Sequence, residues 1–346
     1  MHVSTQSFPA GMSADAMKTD LSVLDLVPVP SGIAASTAVR ASIDLARLAE
    51  RCGYTRYWIS EHHSMPSIAS SAPEVLLSRA AALTERIRVG SGGIMLPNHV
   101  PLRVAETFQT LEALYPGRID LGLGRAPGSD ARASRALRAA SGEQFADLLN
   151  EMLALSRGTL RRGHPYEGVT VSPSDVSLPP IWILGSSGAS AHVAGSAGMG
   201  YSFASHFSPV PAEPALRRYR GAFTPSPAFP EPHAILGVSV ICAPTDEEAE
   251  HLAATVDLMW LRLRKGEFLP LPSPEEALAY DYSEMERNAI LENRHRHVIG
   301  SPDTVREQLD ALCADGEPDE IMVVSNIHDP AKRLRSYELV AQAMAR

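Results

Sequence analysis

Six short runs hold the residue types that could do chemistry. Glu61-His62-His63 sets a carboxylate beside two imidazoles. Those types support a general base, or a donor to a bound oxygen species. A shared metal ion is disfavoured: adjacent residues on a strand point to opposite faces, and no H-E-x-x-H or H-x-H spacing accompanies them. Gly90-Ser91-Gly92-Gly93 concentrates glycine inside an expected strand. Either something flat lies against that backbone, or a bulge there helps the sheet close. Pro97-Asn98-His99 adds another polar tip. In Gly122–Gly128, Arg125 stands at a strand end, suited to phosphate or carboxylate. Arg135, further on, could add a second positive group or lie on a solvated helix face. Leu184-Gly185-Ser186-Ser187-Gly188 leads into a helix expected from about Ala189. Free backbone N–H groups, two hydroxyls and a helix start there all favour an anion. In Ser205-His206-Phe207 the imidazole could serve packing or chemistry.

These runs matter because of where they fall. Short β-rich stretches alternate with amphipathic segments along the chain. The strands are expected at Leu21–Val27, Tyr57–Ser60, Ile87–Met95, Ile119–Gly124, Ile181–Gly185, Tyr201–Ser205, Ile235–Cys242 and Ile321–Ser325. Several are continuous apolar runs, as buried parallel strands are. Between them Val39, Ile43 and Ala46, then Val104, Phe108, Leu111 and Tyr115, repeat at helical spacing. Helix starts are marked by Ser36 or Thr37, by Pro73 and by Pro101, and Gly53 and Pro116-Gly117 mark ends. Eight strands alternating with helices close most economically as a (β/α)8 TIM barrel, an α/β fold whose reacting groups sit at the C-terminal strand ends. An open doubly wound sheet would announce itself by G-x-G-x-x-G after its first strand, but here Val27-Pro28-Val29-Pro30 follows. Pro127 also stands where such a fingerprint would need its third glycine. Insertions are expected before strand 5 (Gly163 to Pro180) and between strands 7 and 8 (about Asp257 to Gly300), both too long for simple turns.

The chain has 346 residues and a formal net charge of −9, with the charges dispersed. No nucleic-acid partner is expected of it, and no apolar run is long enough to cross a membrane. Cys52, Cys242 and Cys313 fit neither a disulfide framework nor a zinc site. Residues 1–20 lack the apolar core of a signal peptide. They are expected to be a flexible leader on a cytoplasmic protein, with 21–346 forming one barrel domain.

The order of motifs resembles the luciferase-like flavin monooxygenases, nearest their MsnO8-like subgroup. The matching pieces are Glu61–His63, Val89–His99, Gly117–Gly128, Ile183–Ala191, Phe203–Phe207 and Arg296–Pro302. Together they span roughly Leu21 to the C-terminus. The resemblance implies a barrel that binds reduced FMN, or in some branches the deazaflavin F420. It puts the flavin phosphate at Gly185, Ser186, Ser187 and Gly188, with Arg125 and Arg135 nearby. The ring system would lie against Ser91, Gly92 and Gly93, where relatives often carry a non-prolyl cis peptide, and His206 joins the cofactor-binding set. His62 would act as general base or stabilise the C4a-peroxyflavin formed from reduced flavin and O2; Glu61 and His99 would line the same pocket.

The resemblance further implies a homodimer and a separate NAD(P)H-dependent flavin reductase, since no nicotinamide-binding motif is visible. The substrate would be a small organic molecule, apolar if Trp260, Phe268, Leu269 and Leu271 of the second insertion face it. Three alternatives stand beside the FMN monooxygenase: an F420-dependent dehydrogenase, a non-catalytic flavin binder, and a metal-dependent barrel hydrolase using His62, His63 and His99.

Overall fold

A computed structural model describes residues 19–345. Ten strands run β1 (Asp20–Asp25), β2 (Arg56–Ile59), β3 (Arg88–Ser91), β4 (Ile94–Met95), β5 (Ile119–Gly124), β6 (Ile181–Gly185), β7 (Gly200–Ala204), β8 (Ala234–Cys242), β9 (His297–Gly300) and β10 (Glu320–Val324). The helices are α1 (Ala35–Arg51), α2 (Pro73–Ala82), α3 (Pro101–Leu114), α4 (Ala131–Leu137), α5 (Phe145–Arg157), α6 (Gly188–Ser196), α7 (Glu213–Ala222), α8 (Asp246–Arg264), α9 (Pro274–Leu278), α10 (Glu284–Arg294), α11 (Pro302–Gly316) and α12 (Pro330–Met344). All strand pairings are parallel, and the order β1-β2-β3-β5-β6-β7-β8-β10 returns to β1. The expected (β/α)8 barrel is therefore present, and each of its eight expected strands contributes to the ring. Of the expected leader, only Thr19 and Asp20 lie within the described residues, and Asp20 opens β1.

The period of two along each strand sorts side chains between the helices and the barrel interior. Tyr57, Ile59, Val89, Ile119, Leu121 and Val323 face outward into the main core beneath the helices. Inward residues form layers. At the N-terminal end Arg56 is held by Glu320 (2.8 Å) and Asp120 (2.9 Å), and Arg88 by Asp120 (2.6 Å), all from first or second strand positions. The two arginines face the two carboxylates, and His233 Nε2 lies 3.0 Å from Glu320, so the barrel floor is a polar plug of paired groups. Above it lie Leu24, Trp58, Trp182, Ile235 and Met322. Above those the interior opens into a cavity at the C-terminal strand ends.

Two departures from plain βα repetition shape that cavity. The expected third strand is split. Gly90 pairs with Asp120, but Ile94 pairs with Leu123, so four steps on one strand meet three on the other. The surplus residue makes a bulge at Ser91–Gly93. The peptide between Gly92 and Gly93 is cis. A Cβ on Gly92 would come within 2.4 Å of Leu24 Cδ1, so a side chain there would require Leu24 to move. The second departure is β8, which forks. Its residues 235–239 pair with β10 and close the ring, while 239–242 pair with β9 outside it. The second expected insertion begins inside α8 rather than at its end, because the apolar face of α8 continues through Leu258 and Leu261. Residues 159–180 before β6 hold no regular element.

Candidate active site

The cavity measures about 780 Å³ and is mostly apolar. His62, from the end of β2, lines it beside Gly92 and Gly93 of the bulge. A chain of hydroxyls fixes this imidazole. Ser70 Oγ donates to Leu26 O at 3.2 Å, which uses its only hydrogen. Ser60 Oγ, 3.0 Å away, must then donate to Ser70. Ser60 in turn accepts from His62 Nδ1 at 3.1 Å. His62 thus carries its proton on Nδ1 and keeps Nε2 as a free base. Burial, against the partial pull of Glu61, brings its pKa down to about 4, so it is neutral near pH 7. His206, after β7, also lines the cavity, and burial lowers it likewise to about 4. Its ring meets Phe207 edge-on at 4.9 Å, so packing and cavity lining coincide in one residue.

Glu61 and His99 do not line this cavity, which corrects the expectation that they would share it with His62. Neighbours on an extended segment alternate faces, and Glu61 turns away from the side His62 takes. Its fully buried carboxylate lies 2.8 Å from His63 Nε2 and 2.9 Å from His99 Nε2, and accepts from Met95 N–H at 2.8 Å and Asn98 Nδ2 at 3.2 Å. Burial works to raise the Glu61 pKa, but the bonds from His99 and His63 outweigh it and hold the group ionised. Glu61 in turn raises His99. The cluster ties down the turn that delivers Met95 to the cavity wall. Ser91 is also turned inward to structure: its hydroxyl donates to Gly122 O at 2.8 Å and accepts from Gly122 N–H at 3.0 Å, and it does not line the cavity. Among the described residues no group of three or more His, Cys, Asp or Glu is placed to hold a metal ion.

At the other end of the cavity Gly185, Ser186 and Ser187 line the wall and lead into α6. Ser187 is the N-cap, yet its hydroxyl makes no cap bond, and the first turn holds no acidic residue. The turn is held from behind, where Ser190 Oγ and Tyr201 Oη donate to Ser187 O at 2.8 and 3.2 Å. Gly185 is required for that packing, since a Cβ would lie 2.0 Å from Ser190 Oγ. Gly188 opens the helix and does not line the cavity. Arg125 lines the mouth, exposed. Arg135 is exposed on α4 and is not brought to the cavity. The sequence reading missed another arginine. Arg218 on α7 passes over the start of α6, its Cδ 3.3 Å from where a Gly188 Cβ would sit. No ion pair ties up Arg125 or Arg218 among the described residues.

A closed parallel ring with its recess and an uncapped helix start at the same end places the molecule among (β/α)8-barrel enzymes. The sequence narrows this. The family model for luciferase-like monooxygenases matches residues 19–317, and the chain belongs to that family. It is 42% identical over 318 residues to a luciferase-like monooxygenase of Escherichia coli (strain K12), covering 92% of this chain and 95% of that one. It is 34% identical to the N-acetyl-S-alkylcysteine monooxygenase of Bacillus subtilis (strain 168), covering 94% and 98%. The crystal structure of apo-MsnO8 superposes with a TM-score of 0.83 at 40% identity, covering 94% and 98%. More distant barrels share the fold alone: the oxygenating constituent of 3,6-diketocamphane monooxygenase from Pseudomonas putida in complex with FMN (20% identity, TM-score 0.67, covering 94% and 98%), and an F420-dependent secondary alcohol dehydrogenase (14%, 0.66, covering 95% and 99%).

Proposed function

We propose that the protein is a flavin-dependent monooxygenase that uses reduced FMN and O2 to oxidise a small, mostly apolar organic substrate. The observation that carries this is one cavity joining an uncapped helix start to a neutral, oriented imidazole. The residues present fit FMN. Ser186, Ser187 and the free N–H groups of α6 would take the phosphate, with Arg125 and Arg218 as its counter-charges. Gly92 and Gly93 offer a side-chain-free wall to a flat ring. When bound, reduced FMN supplies the two electrons that activate O2.

The chain's own residues do the rest. The apolar wall from α8, including Met259, Trp260 and Leu263, excludes water from the reacting atoms. His62 Nε2 accepts a proton from a substrate or oxygen atom and returns it, while Ser60 and Ser70 hold the opposite nitrogen protonated. Glu61 acts as a positioning residue for Met95 rather than as a group touching substrate. A separate NAD(P)H-dependent flavin reductase completes the reading as the source of reduced FMN.

The test is an anaerobic titration of the purified protein with reduced FMN, oxidised FMN and F420, read by calorimetry. Tighter binding of reduced FMN is expected. Preference for F420, or binding of none by a folded protein, overturns the proposal.

A further inference from the structure

Ser239 of β8 and Asn326, two residues past the end of β10, line the same stretch of cavity wall. Val324 pairs with Ser239 in register, so Asn326 follows two residues further along the neighbouring strand. A strand spacing of ~4.8 Å and a rise of ~3.3 Å per residue set their Cα atoms about 8 Å apart, close enough for one ligand group to meet both side chains. Neither side chain makes a hydrogen bond among the described residues, and neither has its polar atoms sealed from solvent as the hydroxyls of Ser325 and Thr255 are. Ser239 is a buried residue of the ring, so the surface left to its hydroxyl is cavity surface. The chain on either side of Asn326 is fixed. Ser325 N–H donates to Tyr337 Oη at 3.0 Å, and Ser325 O accepts from Arg333 Nε at 2.8 Å. Ile327 is buried against α8, and the His328 ring lies 3.1 Å from Ser31 Oγ. A rigid frame thus offers the cavity an amide and a hydroxyl that no other side chain or backbone group uses.

The ring order says what faces them. β3 and β8 stand four places apart among eight strands, so this wall looks across the cavity at Gly92 and Gly93. A flat ring lying on those glycines leaves the substrate against Ser239 and Asn326. β5 and β10 are opposite in the same way, and Arg125 and Glu143, the only Arg, Lys, Asp or Glu side chains lining the cavity, both come from the segment after β5. Beside Ser239 and Asn326 the wall is Val324 with Val256 and Met259 of α8. An ionised group placed there would be desolvated without a counter-charge. A neutral ligand must still satisfy three partners: the Ser239 hydroxyl, the Asn326 N–H and the Asn326 oxygen. A ketone or ester accepts from the first two but leaves Asn326 Oδ1 without a donor. An alcohol has one hydrogen and one oxygen, and it leaves Asn326 Nδ2 or Oδ1 unpaired. A carboxamide meets all three, since its N–H donates to Asn326 Oδ1 while its oxygen accepts from Asn326 Nδ2 and from Ser239 Oγ.

We propose that Asn326 and Ser239 are the specificity-determining pair of the cavity, and that the substrate carries an uncharged carboxamide on an apolar body. This rests on the reading above insofar as it places the substrate in this cavity.

Calorimetry on the FMN-free protein tests it with cyclohexanecarboxamide and cyclohexyl methyl ketone, in which CH3 replaces NH2. In Asn326→Leu the ratio of amide to ketone affinity should fall about tenfold relative to the unaltered chain, because the amide N–H loses its acceptor. Comparing the ratio between two chains cancels the differing hydration of the probes. Ser239→Ala should weaken both probes about fivefold and keep their ratio, since Ser239 meets the oxygen they share. Asn326→Ala adds no bulk and should lower the ratio likewise, so the test stands if Asn326→Leu fails to fold. An unchanged ratio in the Asn326 variants, undiminished affinity in Ser239→Ala, or no saturable amide binding by the unaltered chain overturns the proposal. So does a loss confined to FMN affinity in the Asn326 variants, which would give that amide to the flavin ring instead. The probe titrations contain no FMN, so failure of the flavin reading and failure here are told apart.

Discussion

Acidification from pH 7 to pH 5 should remove several kcal/mol of folding stability, well before the carboxylates protonate. His62, His206 and His297 are held neutral by burial, each brought from the usual 6.5 down to about 4. The unfolded chain takes up these protons below pH 6.5, while the folded chain resists until about pH 4. Through that window the unfolded state binds more protons, so stability falls as pH falls. Integrating from pH 7 to pH 5 gives a loss of about 2 kcal/mol per histidine, and about 5–6 kcal/mol for the three. His99 acts in the opposite sense, since Glu61 raises its pKa, and it offsets part of the loss. What remains is a large share of the about 5–15 kcal/mol that holds a typical domain together. Urea unfolding of the FMN-free protein at pH 7, 6 and 5, followed by circular dichroism, reads the loss directly. His297→Phe should flatten the pH dependence by about 2 kcal/mol over the same interval. A stability constant to within about 1 kcal/mol between pH 7 and pH 5 would refute the assignment of neutral, buried imidazoles.

Other expectations concern single side chains. His62→Gln should cut substrate turnover by about 10²-fold while sparing FMN affinity, measured by steady-state kinetics beside calorimetry; undiminished turnover would remove His62 from proton transfer. Gly185→Ala forces a Cβ to within 2.0 Å of Ser190 Oγ. The turn must shift, and FMN affinity should fall about tenfold or more, with full affinity speaking against the phosphate assignment. Arg56→Met leaves buried Glu320 with only Ser22 and His233 as partners and weakens the hold on Asp120 at the barrel floor. It should cost about 3–5 kcal/mol in chemical denaturation, and a neutral result would mean the plug tolerates uncompensated charge.

The ring of strands could be read from the sequence because parallel strands buried on both faces are apolar throughout and bounded by turn residues. Leu121, Ile183 and Val323 illustrate runs that no helical period explains. The break at Gly92–Gly93 was signalled by its glycines, but sequence alone left open whether they served a ligand or barrel closure. β9 escaped notice because His297–Gly300 is short and only half buried, and its partner lies far away in sequence. The same holds for the site. His62 was legible from its place at a strand end. The different fate of Glu61 was within reach of the alternation argument that separates His62 from His63. Arg218 was not within reach, since only the packing of α7 on α6 brings it over Gly188. His297 sat in a run that supported the resemblance, but its place on the cavity wall emerges only from the pairing of β9 with the end of β8.

The fork in β8 separates two tasks that most barrel strands combine. Residues 235–239 complete the ring with β10, and 239–242 carry β9 with its histidine at the cavity. The chain from α9 through β9 lies outside the ring but is fastened to it at several points: β9 pairs with the end of β8, Ala277 packs against Ala254 and Leu258 of α8, and Arg294 pairs with Asp257. The strands that close the ring and the segment that brings His297 to the cavity wall are thus separate stretches of chain. For protein engineering, His297 is the residue of 265–300 that lines the cavity, and the buried anchors Leu271, Ala277 and Val298 are what a library there must keep.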